Sequence, residues 1–377
     1  MLPVVKIAYI AAGAAGMYCG NCLRDHALAL AIRGLGEELV LVPIYTPLRT
    51  DLPQGEETRN GPVFFNGVRA YLEQHLPYMR KPRPVLDRML SSGAVDKLLG
   101  AVGAGTEASR LGPLTHSMLK GEEGNQAREI DELLEWLRDE LKPDIVHLSN
   151  VLLVGLARRL REELGIPVVC SLQSEDHFIE GLAEPYRTDC IEEIRTRANE
   201  LDGMLAVSAF YREMVCAKYG IEESKVAVVL PGVPLDGHSA KKPGPRNGAL
   251  MIGYLARLGP EKGLDLLCEA FSSLATAGNE TLRLSAAGYF PGSSASWLKG
   301  IARRLQGAGV RERTKFLGTL DREEKLGFLS KLDIFSVPAL RPETKGLYAM
   351  EAMASGVPFV LPGEGVFPEI FERSGGG

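Results

Sequence analysis

The sequence lacks the features that would direct it to nucleic acids or into a membrane. Its 377 residues carry a formal net charge of -5 without any block of basic residues, so no nucleic-acid partner is expected. No window approaches membrane-spanning length, and the apolar stretch 1–17 lacks a basic leading segment, which favours a buried first strand over a secretion signal. The six cysteines stand mostly singly in apolar stretches, as reduced cytosolic thiols do. We expect small-molecule ligands, no transmembrane segment and a cytoplasmic location. A peripheral position at the inner face of the membrane is the alternative location.

Metal and redox motifs are incomplete. Cys19 and Cys22 have the Cys-x-x-Cys spacing between a predicted strand and helix, where a thiol pKa can be lowered. A structural zinc site would need two further ligands, and the sequence has no second such pair and no paired histidines. It also has no Asp-x-Asp, a common carboxylate pair for a divalent metal. We expect no metal and no cofactor; a redox pair or half a zinc site is a weaker alternative to two small residues packed in a turn.

A dinucleotide-dependent oxidoreductase would need two elements that are missing here. That class has Gly-x-Gly-x-x-Gly at the first strand-to-helix turn and an acidic residue at the end of the second strand. The turn in this sequence has only Gly13 and Gly16, and the second strand ends in Pro43, Ile44 and Tyr45. Neither requirement is met.

Apolar runs alternate with segments of helical period, which predicts βαβ units around parallel sheets. The length suits two such domains. Strands of the first half are predicted at 6–12, 38–44, 144–149, 167–172 and 203–208, with helices at 22–34, 127–141, 151–164, 186–199 and 209–218. Strands of the second half are predicted at 249–256, 282–288, 314–319, 333–339 and 358–362. The predicted fold class is α/β, with two doubly wound Rossmann-like parallel-sheet domains facing a central cleft.

Two irregular stretches interrupt this alternation. Residues 47–124 are rich in Pro and Gly, which predicts an insertion on the rim of the first domain, where recognition residues often lie. Residues 230–248 also cluster Pro and Gly, and we place the interdomain linker at 236–248. The predicted domains are therefore 1–235 and 249–377.

The second half places cations and carboxylates after its strands. Arg257 and Lys262 lie on the loop that leaves the first strand of this half, at the edge where open parallel sheets bind ligands. Two such cations could hold a diphosphate, although a solvated basic loop is an equally good interpretation of the pair alone. Glu343 and Glu351, separated by seven residues, follow a later strand. Two carboxylates this close are costly unless a polyhydroxyl ligand or a cation lies between them.

These glutamates flank a predicted helix start. The helix opens at Gly346 and Leu347, and their amide groups with that of Tyr348 would form an anion site without any side chain. Glu351 follows about one turn later, where its carboxylate could accept both hydroxyls of a ribose. Glu343 precedes the helix and could face a sugar. By itself this spacing also fits one capping and one surface glutamate, but with the upstream cations it indicates a nucleotide diphosphate-sugar site.

Further residues stand at the spacings of a known family. They are Gly253, Arg257, Glu261-Lys262-Gly263, Phe316-Leu317-Gly318, Glu343, Gly346, Glu351-Ala352-Met353-Ala354, Gly356-Val357-Pro358 and Glu369-Ile370. Residues 249–370 resemble the donor-binding domain of the GT-B fold retaining glycosyltransferases of family 4, the glycosyl transferases group 1, and the remainder resembles their amino-terminal domain. Members of this family continue beyond the point where this sequence stops, so the resemblance implies a chain truncated at its carboxyl terminus.

The resemblance implies roles for the residues that match. Arg257 and Lys262 would hold the diphosphate of a nucleotide-sugar donor. Glu351 would bind the ribose and Glu343 the transferred sugar. The nucleobase would lie near Gly318 and Leu320, mostly against backbone.

The first strand-to-helix turn matches the family only in part. The family has a Gly-Gly pair there, which aligns with Cys19 and Gly20. The resemblance implies that the amides of Gly20 and Asn21 approach the donor phosphate when the domains close. A tight turn with no ligand is the alternative.

Family members often carry a histidine in the loop after the strand 167–172, at a position near Gln173 in this sequence. Because the residue differs, no catalytic histidine is transferred, and Asp176 and His177 are the nearby candidates. His147 ends the preceding strand, and for a single histidine at a strand end a structural role is at least as good an interpretation.

The hypothesis from the sequence is a hexosyltransferase. It would move a sugar from a nucleotide diphosphate-sugar to a carbohydrate, lipid-linked or small-molecule acceptor, without a metal ion, while cations and helix amides stabilise the leaving phosphate. The resemblance implies retention of anomeric configuration. An inactive or fragmentary nucleotide-sugar binding module is the main alternative, and a Cys-x-x-Cys redox or metal protein is a weaker one.

Overall fold

The computed structural model describes residues 3–12, 20–44, 108–239, 248–290 and 294–375. The chain divides into two compact units, residues 1–231 and 232–377. Each unit has its own sheet. Cys19, the glycine-rich first turn and residues 45–107 of the region predicted to hold the insertion lie outside the described residues.

The first unit contains a six-stranded sheet in the order β2-β1-β3-β4-β5-β6, with all neighbours parallel. Its elements are β1 (Lys6–Ala11), α1 (Gly20–Gly34), β2 (Glu38–Pro43), α2 (Gly112–Leu119), α3 (Ala127–Trp136), β3 (Ile145–Leu148), α4 (Ala157–Leu164), β4 (Val168–Leu172), α5 (Asp176–Glu180), α6 (Tyr186–Arg197), β5 (Gly203–Ala206), α7 (Ala209–Tyr219) and β6 (Val226–Val228). Short 3-10 helices span Ala108–Arg110, Gly121–Glu123, Val151–Leu156, Ala198–Glu200 and Glu223–Lys225, and a π turn spans Leu137–Leu141. Because the chain steps from β1 to β2 on one side and β3 lies on the other, the topological switch point falls between β1 and β3.

Local sequence explains these boundaries. Strands such as β4 are mostly apolar and almost fully buried, as expected for a parallel sheet that helices cover on both faces. Helix α7 begins where the hydroxyl of Ser208 accepts a hydrogen bond from the Tyr211 amide at 3.1 Å, and it ends at Gly220 with φ +64°. The predicted helix 151–164 is instead a 3-10 turn followed by α4, and β6 was not among the predicted strands.

The second unit contains a five-stranded parallel sheet in the order β11-β10-β7-β8-β9. Its elements are β7 (Leu250–Leu255), a 3-10 turn (Pro260–Lys262), α8 (Leu264–Thr276), β8 (Leu282–Ala287), α9 (Ala295–Gly307), a second 3-10 turn (Arg311–Arg313), β9 (Thr314–Gly318), α10 (Arg322–Leu329), β10 (Ile334–Ser336), α11 (Leu347–Ala354), β11 (Phe359–Val360) and α12 (Phe367–Ser374). The order places β10 beside β7, on the side away from β8. The switch point of this sheet therefore falls between β7 and β10.

The second unit has its own apolar core. Tyr254, Phe271 and Phe335 are fully buried in it. Helix α10 starts with a reciprocal capping box, in which Asp321 accepts from the Glu324 amide at 2.9 Å and Glu324 accepts from the Asp321 amide at 3.0 Å. In the described part of the chain, none of the helices combines the length and the apolar character that crossing a bilayer requires.

Candidate functional site

Two loops meet at the switch point of the second sheet. The loop after β7 carries Arg257 and the 3-10 turn that ends in Lys262, and the loop after β10 carries Glu343. The Leu340 amide donates a hydrogen bond to the Glu261 carbonyl at 3.0 Å and joins the two loops. They also touch at Gly263, where φ is +69° and an added Cβ would lie 1.9 Å from the Pro338 carbonyl oxygen. Only glycine permits this close approach.

Lys262 and Glu343 form an ion pair across these loops, with Lys262 Nζ hydrogen-bonded to Glu343 Oε1. Their side chains are 22% and 17% exposed, so the pair is partly shielded but still reached by solvent. Lys262 Nζ also lies 6.0 Å from the centroid of the Tyr348 ring, at the start of α11. The pair therefore lies beside the predicted anion site.

The start of α11 is fixed by a glycine. Gly346 has φ +64° and precedes the helix, and an added Cβ would come within 2.6 Å of Ile370 Cδ1. The first amides of a helix have no partner within the helix. Those at Leu347 and Tyr348 therefore give the site partial positive charge for an anion.

Arg257 is placed in the same loop as Lys262 but in a different setting. Its side chain is exposed, and its Nη2 lies 2.5 Å from Glu261 Oε1. The loop thus carries two cations, each with an acidic partner. A diphosphate would compete with those acids for both cations.

Glu351 has a partner that the sequence did not suggest. Lys325, on α10, places Nζ 2.6 Å from Glu351 Oε1, and the two side chains are 10% and 18% exposed. The pair fixes one carboxylate oxygen of Glu351 toward α10. Lys325 carries no family motif, and a lysine on an amphipathic helix is ordinarily a solvated residue, so no sequence signal marked it.

The two positions predicted near the nucleobase lie at the end of β9. Gly318 has φ +73°, and its carbonyl accepts a hydrogen bond from the Gly288 amide at 2.7 Å. Leu320 is partly buried and packs against the core of the second unit. The arrangement offers backbone and apolar surface rather than charge.

In the first unit, Gly20 is the exposed first residue of α1 and Asn21 follows it, half-buried. Cys22 packs in a small apolar cluster with Tyr9 and Ala11. This environment suits a packing role for Cys22. The pairing with Cys19 lies outside the described residues.

The candidates Asp176 and His177 begin the short helix α5. Asp176 is buried, His177 is exposed, and 3.5 Å separates His177 Nδ1 from Asp176 Oδ2. Among the described residues, these two and Glu180 form a group whose possible metal-ligand atoms lie within 4.8 Å of one another. Lys218 already places Nζ 2.6 Å from Glu180 Oε1, so a cation occupies that position.

A buried polar network lies at the switch point of the first sheet. Arg24 donates hydrogen bonds to the Tyr9 hydroxyl at 2.9 Å and to Ser171 Oγ at 3.2 Å, and Asp25 Oδ1 accepts from Tyr9 at 2.6 Å and from Arg24 at 3.2 Å. Burial raises the pKa of Asp25, and the Arg24 charge opposes that rise. His147 Nε2 lies 2.8 Å from Ser171 Oγ. Burial and the Arg24 charge lower the pKa of His147 to about 3, so its ring is neutral.

Gln173 extends this network toward α5. Its Nε2 donates to Asp25 Oδ1 at 3.0 Å and to the Ser149 carbonyl at 2.6 Å, and its side chain is fully buried. Its backbone amide donates to Glu175 Oε2 at 2.7 Å, and the Tyr211 hydroxyl donates to the same oxygen at 3.0 Å. The residue that stands near the family's histidine position is therefore a structural hub.

Comparison with known proteins decides the family. Residues 238–376 match the family described as Glycosyl transferases group 1, and residues 107–236 match the one described as Glycosyltransferase Family 4. The two segments together make up more than half of the chain. The chain belongs to the group 1 and family 4 glycosyltransferases.

The curated relatives of this chain have different names. It is 27% identical over 224 residues to a glycogen synthase from Mycobacterium tuberculosis, which is 58% of this chain and 52% of that protein. It is 29% identical over 242 residues to a D-inositol 3-phosphate glycosyltransferase from Stackebrandtia nassauensis, which is 59% of this chain and 53% of that protein. The chain spans about half the length of these curated relatives.

A solved structure confirms the predicted fold class. The Anabaena protein HepE, crystallised with UDP and glucose, matches with a TM-score of 0.63 at 16% sequence identity, over 97% of this chain and 83% of that one. The chain therefore has two parallel-sheet α/β units of the GT-B type, as the alternation of strands and helices predicted.

The structure brings together part of the predicted constellation. Lys262, Glu343 and the start of α11 lie in one place, and Glu351 lies further along the same helix. The roles assigned to these residues stay predictions. What sequence reasoning missed is the partner of each acidic group and the buried network around Arg24.

Proposed function

We propose that this glycosyltransferase moves a sugar from a nucleotide diphosphate-sugar donor to an acceptor, with retention of configuration and without a metal ion. The observation that carries the proposal is the ion pair between Lys262 and Glu343 beside the start of α11. A cation and a carboxylate are paired there near a helix start, at the switch point of a parallel sheet, where such sheets bind ligands.

The diphosphate would be held by exchange of partners. Lys262 and Arg257 are paired with Glu343 and Glu261, respectively. An entering diphosphate takes over both cations, and the helix amides add further donors. As the bond to the sugar breaks, these groups stabilise the charge that develops on the leaving phosphate.

Glu343, once released by Lys262, is free to accept hydroxyl groups of the transferred sugar. Glu351 would bind the ribose, with one of its oxygens already oriented by Lys325. The base would lie against Gly318 and Leu320 at the end of β9. The sequence has no Asp-x-Asp, so protein cations supply the charge that a metal ion supplies in other transferases.

On the first unit, the proposal assigns Gly20 and Asn21 to the donor phosphate and Asp176 and His177 to the acceptor side. His177 is exposed and lies after β4, at the carboxyl edge of the sheet. The curated relatives act on acceptors as different as a polysaccharide and an inositol phosphate, so we name only the class: a carbohydrate, lipid-linked or small hydroxyl-bearing acceptor.

A donor-binding module without transferase activity is the alternative, and product formation separates the two. We would screen UDP-, GDP- and ADP-sugars by thermal shift and then assay the binders for transfer with and without EDTA. A ligand that binds only the folded state at about 100 times its Kd stabilises it by about 2.7 kcal/mol. Glu351→Ala should lose the thermal shift, whereas Glu372→Ala, an exposed glutamate on α12, should keep it.

Three results would contradict parts of the proposal. A shift that survives Glu351→Ala would remove the ribose assignment. Transfer abolished by EDTA would overturn metal independence. Donor binding without any product, across carbohydrate and lipid-linked acceptors, would favour the binding module.

A further inference from the structure

We propose that Gln173, Glu175 and Tyr211 are positioning residues: they hold the turn after β4 in a strained form that fixes His177 at the edge of the first sheet. This inference rests on the proposed function for its catalytic consequence. The evidence that these residues hold the turn comes from contacts within the first unit and does not depend on the proposed function.

The first observation is a strained backbone. Ser174 has φ +78°, a value that residues other than glycine seldom adopt. Such a conformation is unfavourable and persists only where its surroundings over-determine it. The turn between β4 and α5 must therefore be held by specific contacts on both sides.

On one side the turn is tied to the buried network. Gln173 donates from its single amide nitrogen to Asp25 on α1 at 3.0 Å and to the Ser149 carbonyl after β3 at 2.6 Å. The amide nitrogen carries two hydrogens, so both bonds can form at once. A neutral histidine has one N–H and could not replace both, which gives a physical reason for glutamine at this position.

On the other side the turn is tied to α7. Glu175 Oε2 accepts from the Gln173 backbone amide at 2.7 Å and from the Tyr211 hydroxyl at 3.0 Å. Burial and the neighbouring Glu175 and Asp176 charges raise the pKa of Tyr211, so its hydroxyl stays a donor. Tyr211 is fully buried in the first turn of α7, whose start is capped by Ser208. The turn is thus clamped between two helices.

This clamp determines where α5 begins. Asp176 follows Glu175 directly and is buried, whereas His177 projects to the exposed side of the same short helix. Release of the clamp would let Ser174 relax to an ordinary conformation and would rotate the start of α5. The imidazole of His177 would then move relative to the sheet edge, while the residues proposed for the donor on the second unit stay in place.

The test is Tyr211→Phe against Tyr219→Phe in the full chain. Both tyrosines are buried in α7, but the Tyr219 hydroxyl has no hydrogen-bond partner within the described residues, so its loss should be silent. Tyr211→Phe should lower kcat at least about tenfold with the donor KM unchanged. It should also speed amide exchange across 173–177, which measures the turn without any assay of activity. Equal behaviour of the two variants in both measurements would overturn the proposal.

A rescue at Glu175 separates geometry from charge. Glu175→Gln keeps an oxygen that can accept both hydrogen bonds and should retain kcat and exchange protection, whereas Glu175→Ala should lose both. A Glu175→Gln variant as impaired as Glu175→Ala would overturn the positioning role. If the wild-type chain transferred no sugar, the proposed function would fail, and the exchange measurements on both pairs of variants would still decide whether the turn is clamped.

Discussion

At the switch point of the second sheet, Lys262 and Glu343 are 22% and 17% exposed, whereas at the switch point of the first sheet Arg24 and Asp25 are both 4% exposed. Both places pair a cation with a carboxylate at the edge where parallel sheets bind ligands. The second pair has solvent on one side. The first is enclosed by the Tyr9 hydroxyl and by Ser171.

This difference separates two uses of ionic groups. A partly exposed pair loses little when its partners separate, because water or an entering phosphate replaces the lost contact. A buried pair has no such replacement, and removal of one member leaves an uncompensated charge. The second sheet therefore carries charges that can exchange partners, and the first carries charges that hold structure.

The largest effect should come from breaking the buried pair. Arg24→Met leaves Asp25 without its cation and should lower the free energy of unfolding of the first unit by about 3–5 kcal/mol. The chain has two tryptophans, Trp136 in the first unit and Trp297 in the second. Urea unfolding in a Trp297→Phe background therefore reports the first unit alone.

The control is the double variant Arg24→Met with Asp25→Asn. It removes both charges and keeps an oxygen that can accept the hydrogen bonds from Tyr9 and Gln173, so it should recover part of the lost stability. If Arg24→Met were as stable as the wild type, the network around Arg24 would contribute no more to stability than the Lys262–Glu343 pair of the second unit.

The second effect concerns the exchangeable pair. Lys262→Ala should reduce kcat about 10²- to 10³-fold, as loss of one electrostatic donor to a leaving group does. Because the pair is partly exposed, the free energy of unfolding of the second unit, followed through Trp297 in a Trp136→Phe background, should change by no more than about 1 kcal/mol. Lys331→Ala, an exposed lysine on the same unit, is the matched control. Near-normal transfer by Lys262→Ala would rule out its role on the diphosphate.

Much of the fold could be predicted because burial on both faces leaves a sequence signature. The strands β4 and β8 are mostly apolar and mostly buried, and both were predicted within a residue or two. Strand β6 was missed because it has three residues, one of them exposed, and follows a charged turn.

The candidate site was predictable where a single loop or helix carries a recognisable group of residues. Glu343, Gly346 and Glu351 lie within nine consecutive residues and share a motif. Lys325 is 26 residues from Glu351, and Gln173 is 148 residues from Asp25. Such contacts arise from tertiary packing. The residues next to a charged side chain in the sequence do not show whether that side chain is buried or solvated.

The third effect tests how well the first network excludes water. Since the pKa of His147 is about 3 in the folded protein and about 6.5 when unfolded, the unfolded chain binds more protons between these values. Stability is therefore fully present above about pH 6.5 and falls as the pH drops toward 3, by up to about 1.4 kcal/mol per pH unit. His147→Gln, which cannot titrate, should remove that part of the slope in urea unfolding at pH 4 to 7. An unchanged slope would show that the ring is hydrated or charged in the folded state.

The smallest effect separates buried polar groups that are paired from those that are not. Tyr348 and Tyr254 are both largely buried in the second unit, but the Tyr254 hydroxyl donates to the Arg257 carbonyl at 3.2 Å, whereas the Tyr348 hydroxyl has no partner within the described residues. Tyr348→Phe should leave the free energy of unfolding within about 0.5 kcal/mol of the wild type, and Tyr254→Phe should lower it by about 1 kcal/mol. A marked loss of stability for Tyr348→Phe would mean that its hydroxyl forms a hydrogen bond in solution. The polar groups beside the Lys262–Glu343 pair would then be as fully paired as those of the buried network in the first unit.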